Sequence, residues 1–499
     1  MNYTQVFSAL VPETIVVITA LLVLGVDLLL LRNASNRSRL STAVTILALG
    51  CVAGIAAIAR AKSMNLLEGM LVLNSTAYYI KQIILMLTIV TAIISLESNF
   101  TKHIGEYFAL LLLAAVGMML LVSSDNLLLI FVALELTSLP LYALTAFNKE
   151  SVQSSEAALK YFLFGSMSAA FTLFGLSLLY GISGEINLVF IASKLEGKFE
   201  PVFYVALVMT LIGFAFKVAA APFHLWAPDA YQGAPTPVAS FIASGSKVAS
   251  FFVLARILTT GFTGAEGSAA WRDIAPGWIP LIAALAIASM VLGNIAAIAQ
   301  SSVKRLLAYS AIAHAGYALL AILSNTQQAL GSLLYYVVTY AITALGAFAV
   351  VAVVENGSKG ERLQDFAGLS RRAPLLSLCM LVFILSLAGI PPLAGFFGKF
   401  YVFTAAARSG NSLGLLWLVI VAIATSAVSL YYYLQVLKQI YVVEPRENVI
   451  PLRVNGAIQA TVLALALAIV ALGCAPDFLI NKFSSKPAPT VALSVVENH

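Results

Sequence analysis

Residues 211–237 read LIGFAFKVAAAPFHLWAPDAYQGAPTP, and they place charge and a helix breaker inside a long apolar run. Lys217 stands in the middle of that run, Pro222 follows five residues later, and His224 and Asp229 come after the proline. A charge and a proline are both costly in a helix that crosses a lipid bilayer. The presence of both in one apolar run indicates that polar groups have a function at the depth of the membrane.

The composition places most of the chain in lipid. Its 499 residues are 61% hydrophobic and only 10% charged, whereas soluble proteins carry roughly 25% charged residues. The net charge of +6 comes from lysines and arginines scattered between apolar runs, so it predicts membrane orientation and not nucleic-acid binding. The three cysteines lie far apart without a CxxC pair, and no zinc or iron–sulfur framework is visible.

Windows of about twenty apolar residues predict roughly fourteen spanning helices, and hence an all-α polytopic membrane protein. The spans are expected near 10–31, 39–60, 77–97, 105–122, 126–147, 156–181, 202–226, 236–260, 277–298, 303–323, 328–354, 374–407, 412–440 and 454–475. The seventh contains Pro222 and the twelfth contains Pro391 and Pro392, so both are predicted as broken helices. The seventh and twelfth spans are five apart in order, which is an odd number, so these two broken helices are expected to cross the membrane in opposite directions. Opposite directions are typical of inverted repeats.

Orientation follows from the loops. Lysines and arginines cluster in the loops after the first, ninth and eleventh predicted spans. The positive-inside rule places those loops in the cytoplasm and, with an even number of spans, both termini outside. The connector 357–374 is the most charged loop and leaves room for a short surface helix.

Four charged residues lie deep in predicted spans, where charge is rare and usually functional: Glu135, Lys217, Lys247 and Lys399. A carboxylate near a buried lysine stabilises the protonated form of that lysine, so moving the carboxylate away releases a proton. The alternatives are a structural ion pair and snorkelling to the interface. Snorkelling explains Lys217 badly, because that residue lies about 20 Å along its helix.

Other titratable groups leave two interpretations open. Lys160 lies about one turn into its helix, where it could snorkel or join the relay. Histidine is the side chain most suited to relaying protons near neutral pH, so His224 and His314 could pass protons, or could be satisfied buried histidines. Lys304 and Arg305 stand near a helix start, and we expect them to snorkel to the interface.

Four stretches carry a family resemblance: ALELTSLPLYAL (133–144), FKVAAAPFHLWAPDAYQGAPTPV (216–238), SSVKRLLAYSAIAHAGY (301–317) and AGIPPLAGFFGKFYVF (388–403). They resemble the antiporter-like membrane subunits of respiratory complex I and the related Mrp cation/proton antiporters. The resemblance covers most of the chain. The opening stretch LVPETIVVITALLVLGVDLLL (10–30), with Glu13 and Asp27, resembles one complex I subunit type in particular.

The resemblance implies fourteen helices with two inverted five-helix repeats, each containing a broken helix. One transmembrane domain, 1–499, would then comprise the first three helices (1–104), the first repeat (105–260), the second repeat (277–440), a last helix (454–476) and a flexible tail (477–499). By the same resemblance, Glu135 and Lys217 match the first half-channel pair. Lys247 matches the central-axis lysine, and Lys399 matches the lysine of the second half-channel.

The resemblance also implies the setting. The complex oxidises NADH with FMN and iron–sulfur clusters in other subunits and reduces quinone, so this chain would hold no cofactor. Its partners would be the antiporter-like subunit M, small membrane subunits, peripheral subunits and the lipid of the cell inner membrane. Two alternatives remain. An Mrp-type cation/proton antiporter would not co-purify with FMN and iron–sulfur signals. A structural spacer would have no reason to tolerate four intramembrane charges.

Overall fold

The computed structural model describes residues 3–97, 100–195, 200–358, 360–409, 414–444, 452 and 454–483. Within these residues, thirteen helices are long and apolar enough to cross a membrane. The predicted twelfth span is divided into two shorter helices, Pro374–Ala388 and Ala394–Arg408. Together these two helices correspond to the predicted twelfth span and bring the number of spans to fourteen, and the all-α polytopic architecture is confirmed.

The helices are α1 (Tyr3–Ala9), α2 (Val11–Gly25), α3 (Asn36–Arg60), α4 (Ser75–Ile94), α5 (Ile104–Leu121), α6 (Leu127–Thr145), α7 (Val152–Ser183), α8 (Leu188–Leu195), α9 (Pro201–Val218), α10 (Trp226–Gly233), α11 (Thr236–Phe241), α12 (Lys247–Arg256), α13 (Trp278–Ile298), α14 (Val303–Leu323), α15 (Gln327–Ser358), α16 (Leu369–Arg372), α17 (Pro374–Ala388), α18 (Ala394–Arg408), α19 (Leu416–Tyr441), α20 (Gly456–Cys474) and α21 (Asp477–Phe483). Segments of π-helix, Val26–Leu30, Ile242–Ser246 and Ile257–Gly261, extend α2, join α11 to α12 and extend α12. Short 3-10 turns cover Ser95–Glu97 and Leu363–Phe366. Two antiparallel hairpins pair β1 (Met64–Leu66) with β2 (Leu71–Leu73), and β3 (Ser268–Ala270) with β4 (Asp273–Ala275).

The predicted spans agree with the observed helices to within a few residues. The span expected at 303–323 is α14 without change. The charged connector contains the short helix α16, for which the sequence left room. This helix is not fully at the surface, because its Leu369 is buried. One assignment was wrong in part: residues 477–483 of the expected tail form helix α21, and residues 484–499 of that tail lie outside the described residues.

The bundle has two distinct ends. At the basic face, the loop before α14 pairs with the charged connector, because Val303 N donates to Glu361 O and Leu363 N donates to Ser301 O, both at 2.9 Å. At the opposite end, the hairpin face, the β1–β2 turn meets the start of α6, where Asp125 N donates to Gly69 O at 3.0 Å. The loops after the ninth and eleventh predicted spans therefore lie at one end of the bundle, as the span count requires.

The two broken helices cross the bundle in opposite directions. Helices α9 and α10 run from the hairpin face to the basic face, where Gln232 donates to Glu361 at 2.7 Å. Helices α17 and α18 run the other way, from the charged connector to the hairpin face. The breaks span residues 219–225 and 389–393, and each contains the proline that predicted it.

Three helical spans are enclosed by the others. The most apolar windows of Thr236–Gly261, Val303–Leu323 and Gln328–Ser358 are 94–100% buried, against 33% for α7 and α19 at the outside. Small residues allow the close approach that membrane helices need. A Cβ at Gly316 of α14 would lie 2.7 Å from Ala286 O of α13. The enclosed helices carry Lys247 and His314, so both are shielded from lipid by protein.

Candidate functional site

Lys217 lies in the last turn of α9, immediately before the first break. Its ammonium donates to Ser138 Oγ on α6 and lies 5.7 Å from the centre of the Tyr142 ring. Glu135 of α6 and Lys217 line the same small cavity, about 10 Å³ in volume, which is room for about one water. The structure brings this predicted pair to one site, although no ion pair within 4 Å joins them among the described residues.

The first break is lined by protein. Residue 219 adopts a left-handed conformation with φ of 57°. The carbonyl of Phe216 accepts hydrogen bonds from Ala219 N and from Trp226 Nε1, both at 3.0 Å, and Ala221 N donates to Ser289 Oγ at 2.8 Å. Non-helical backbone at membrane depth needs hydrogen-bond partners of this kind for its N–H and C=O groups. His224 lies within this break, half-buried, and its Nδ1 has no hydrogen-bond partner in the described part of the chain.

Lys247 begins α12, directly after the π-helical segment Ile242–Ser246. Its side chain is buried, and Nζ donates to Ala311 O of α14 at 2.7 Å. The ammonium also lies 5.6 Å from the centre of the Tyr340 ring. No carboxylate forms an ion pair with Lys247 among the described residues. Among these residues its ammonium contacts a carbonyl dipole and an aromatic face in place of a carboxylate.

Lys399 lies on α18, just past the second break, and its ammonium contacts the end of α17 at that break. Its Nζ donates to Ser426 Oγ at 2.8 Å and to Ala388 O at 3.0 Å. Residue 388 is the last of α17, so its carbonyl is one that the break leaves without a helical donor. A cation at a helix C-terminus is also stabilised by the helix dipole. Gly389 turns the chain there with φ of 86°, and a Cβ on it would lie 3.0 Å from Cδ of Lys399.

His314 lies between the buried lysines Lys247 and Lys399. Its Nδ1 lies 2.6 Å from the Tyr336 hydroxyl and its Nε2 lies 3.2 Å from the Tyr433 hydroxyl. Its ring centre is 4.9 Å from that of Tyr340, the ring beside Lys247, and 5.7 Å from that of Tyr317. The Lys399 ammonium lies 5.3 Å from the Tyr317 ring centre. His314 is therefore buried and satisfied, and it also stands between Lys247 and Lys399.

Lys160 lies at the basic face. Its ammonium pairs with Asp229 at 2.9 Å and with Glu156 at 2.7 Å, and its side chain is 42% exposed. Arg305 holds the other oxygen of Asp229 at 2.7 Å. The half-exposed position agrees with a side chain that reaches the interface, and the ion pairs tie α7 to α10 and α14.

One expectation was wrong. Lys304 does not snorkel to the interface, because only 3% of its side chain is exposed. It pairs instead with Glu355 at 2.8 Å and lies 3.7 Å from Glu361. The reason is that α14 is enclosed by neighbouring helices, and the ammonium is held between two carboxylates instead of reaching outward.

Further charged groups escaped the sequence prediction. Glu13 and Lys81 form an ion pair at 2.6 Å, with side chains only 5% and 0% exposed. Lys81 could have been found by the rule that found Lys217, because it too stands in an apolar run. Tyr336 and Tyr433 carried no signal, since tyrosines are common in apolar helices. Among the described residues, no group of three or more His, Cys, Asp or Glu could hold a metal ion.

Comparisons with known proteins agree with this architecture. Residues 124–427 match the family model described as NADH:quinone oxidoreductase/Mrp antiporter, TM. NADH-quinone oxidoreductase subunit N 2 of Acidobacterium capsulatum is 50% identical, over 96% of this chain and 99% of that protein. Subunit N of Moorella thermoacetica is 40% identical, over 94% and 96%.

A solved structure extends the likeness to three dimensions. A chain of respiratory complex I from Thermus thermophilus with bound aureothin superposes with a TM-score of 0.78 and 35% identity, covering 94% of this chain and 98% of that one. The chain therefore belongs to the NADH:quinone oxidoreductase/Mrp antiporter family of membrane subunits, and within it to the subunit N proteins of NADH-quinone oxidoreductases.

Proposed function

We propose that this chain is the proton-translocating membrane subunit of an NADH-quinone oxidoreductase. It couples electron transfer from NADH to quinone, which occurs at redox centres in other subunits, to proton movement across the membrane. Relatives at 50% and 40% identity carry the subunit N name, which favours this function over an Mrp-type antiporter. FMN and the iron–sulfur clusters belong to partner subunits in this proposal.

One observation carries the proposal: Lys217, Lys247 and Lys399 are held inside the bundle without a carboxylate within 4 Å among the described residues. An uncompensated buried charge is expensive, so a side chain that stays there unpaired needs a reason. A lysine that gains and loses its proton as neighbouring charge changes supplies one. A hydroxyl and a small cavity lie beside Lys217, and His314, tyrosines and a second small cavity lie between Lys247 and Lys399, so intermediate groups for a proton are present near each lysine.

The residues take the roles that the family resemblance implies. Glu135 and Lys217 form the first half-channel, Lys247 the central axis and Lys399 the second half-channel. His314 passes protons between Lys247 and Lys399, and Lys160 and His224 are further relay candidates near the first break. The opposite directions of the two broken helices support two inverted repeats, 105–260 and 277–440.

The surroundings follow from the same proposal. Subunit M, small membrane subunits and peripheral subunits of the complex would be the partners, in the cell inner membrane. The basic face would lie in the cytoplasm and both termini outside, because the lysine- and arginine-rich loops share that face. The breaks then give each half-channel lysine its own path to water.

The test replaces Lys247 in the intact complex. Lys247→Met keeps the length of the side chain and removes the proton site, so proton pumping and quinone reduction should fall together. Electron transfer from NADH to a hydrophilic acceptor should stay normal, because that chemistry lies in other subunits. A fully assembled Lys247→Met complex that pumps at the normal rate would refute the proposal, and loss of the complex from the membrane would indicate a structural role.

A further inference from the structure

The Lys399 ammonium meets an aromatic ring where an ion pair would place a carboxylate. Its Nζ lies 5.3 Å from the centre of the Tyr317 ring, and a cation–π interaction extends to about 6 Å. No carboxylate lies within 4 Å of Lys399 among the described residues. A buried charge is costly without compensation, so the ring adds to the stabilisation that Ala388 O and Ser426 Oγ give this ammonium.

The hydroxyl of Tyr317 is anchored by the buried amide of Asn294 on α13. Asn294 Nδ2 donates to the Tyr317 hydroxyl at 3.0 Å and to Met290 O at 2.7 Å. Asn294 Oδ1 accepts from the Tyr432 hydroxyl at 3.0 Å. A backbone carbonyl only accepts hydrogen bonds, so the bond to Met290 O fixes which end of the amide points toward Tyr317. The Tyr317 oxygen is therefore the acceptor on that side.

The proton of the Tyr317 hydroxyl points away from the amide. The hydroxyl donates to Thr425 Oγ1 of α19 at 3.4 Å, and the next residue, Ser426, accepts from Lys399 at 2.8 Å. Neighbouring hydroxyls of α19 thus receive the tyrosine and the lysine. The ring of Tyr317 is held between α13 and α19 by its hydroxyl while its face meets the ammonium on α18.

An aromatic face also accompanies the other two buried lysines. The Lys217 ammonium lies 5.7 Å from the centre of the Tyr142 ring, and the Lys247 ammonium lies 5.6 Å from the centre of the Tyr340 ring. The three rings come from three different helices, α6, α14 and α15. The recurrence of this contact favours a role for the rings over an accident of packing.

We propose that Tyr317 serves as an uncharged counter-group for Lys399 and that Asn294 is the positioning residue that holds its ring. The ring stabilises the ammonium, but less strongly than a carboxylate at contact distance would. Lys399 can therefore bind a proton and still release it when neighbouring charge changes. The inference rests on the proposed function, because it concerns a lysine that must do both.

Other titratable groups reach this site from the helices packed against α18, which are α14, α15, α17, α19 and α20. Helix α14 also carries His314, whose ring nitrogens are bonded to the hydroxyls of Tyr336 on α15 and Tyr433 on α19. Helices α17 and α20 contain no Asp, Glu, His, Lys or Arg. Substitutions at Tyr317 or at its anchor remove neither hydrogen bond of His314.

The experiment compares Tyr317→Leu with Tyr432→Leu in the intact, reconstituted complex. Both substitutions remove a buried tyrosine ring and one hydrogen bond to Asn294, but the Lys399 ammonium lies over the ring of Tyr317. NADH-driven pumping is measured over a series of pH values and divided by electron transfer from NADH to a hydrophilic acceptor, which corrects for the other subunits.

The proposal expects Tyr317→Leu to lower the pH above which pumping fails by about one unit, because a less stabilised ammonium loses its proton at lower pH. Asn294→Leu should shift this pH limit in the same direction by less, and Tyr432→Leu should leave it unchanged. An unchanged limit in an assembled Tyr317→Leu complex would overturn the proposal. An equal shift in Tyr432→Leu would also overturn it, because the network would then act only through packing.

If the leucine variants do not assemble, Tyr317→Phe and Tyr432→Phe repeat the comparison, since each keeps its ring and loses only the bond to Asn294. A smaller shift confined to Tyr317→Phe is then expected, and identical pH limits would overturn the proposal. Normal pumping by Lys399→Met would instead refute the proposed function itself, so the two failures are distinguishable.

Discussion

The buried Glu13–Lys81 ion pair joins α2 to α4, and its contribution to the stability of the fold can be predicted quantitatively. Lys81 is fully buried, and both oxygens of Glu13 lack any hydrogen-bond donor in the described part of the chain apart from this ion pair. Lys81→Met should therefore leave an uncompensated buried carboxylate and destabilise the fold by about 3–5 kcal/mol. Each 1.4 kcal/mol is tenfold, so the folded-to-unfolded ratio should fall between about 100- and 5,000-fold.

The double variant Glu13→Gln with Lys81→Met removes both charges. It should recover part of the loss, because an uncharged amide costs far less to bury than an unpaired carboxylate. Thermal inactivation of the purified complex and the amount of assembled subunit measure the effect, and Lys438→Met at an exposed lysine is the control. A stable Lys81→Met complex, or a double variant less stable than the single one, would refute the reasoning.

The remaining predictions concern proton transfer, topology and packing. Lys217→Arg should impair pumping in an assembled complex, since a guanidinium does not release its proton; normal pumping would remove this residue from the relay. Cysteines at positions 36 and 360, replacing Asn36 and Gly360, should both be labelled only from the cytoplasmic side, and labelling from opposite sides would overturn the span count. Gly316→Ala places a Cβ 2.7 Å from Ala286 O and should cost about 1–3 kcal/mol of stability, measured as a lower inactivation temperature; an unchanged inactivation temperature would mean that α13 and α14 can move apart enough to admit the extra methyl group without a loss of stability.

Charged residues in apolar runs made much of the site predictable. A lysine in the middle of twenty apolar residues is visible without a structure, and the prolines near Lys217 and Lys399 located both breaks. The limits of the spanning helices could be predicted from hydropathy, because a helix that crosses the lipid needs a long apolar run. The resemblance supplied the pairing of Glu135 with Lys217, and the structure places these two residues beside one small cavity.

Enclosure and hydrogen-bond partners could not be predicted. Lys304 was expected at the interface from its distance to the helix start, but its exposure depends on which helices surround α14. The hydroxyls of Tyr336 and Tyr433 become part of the site only because His314 lies between them. Such partners come from helices far apart in sequence, and hydropathy carries no information about which helices are neighbours.

The most direct measurement of the central claim uses Lys399, the buried lysine at the second break. Lys399→Met complexes in sealed vesicles are given NADH, and the pH change is measured against NADH consumed, with Lys438→Met as the control. The account predicts fewer protons moved per NADH, or stalled turnover, while electron transfer to a hydrophilic acceptor stays normal. An unchanged proton ratio at an unchanged rate would contradict the claim that the buried lysines of this subunit carry the translocated protons.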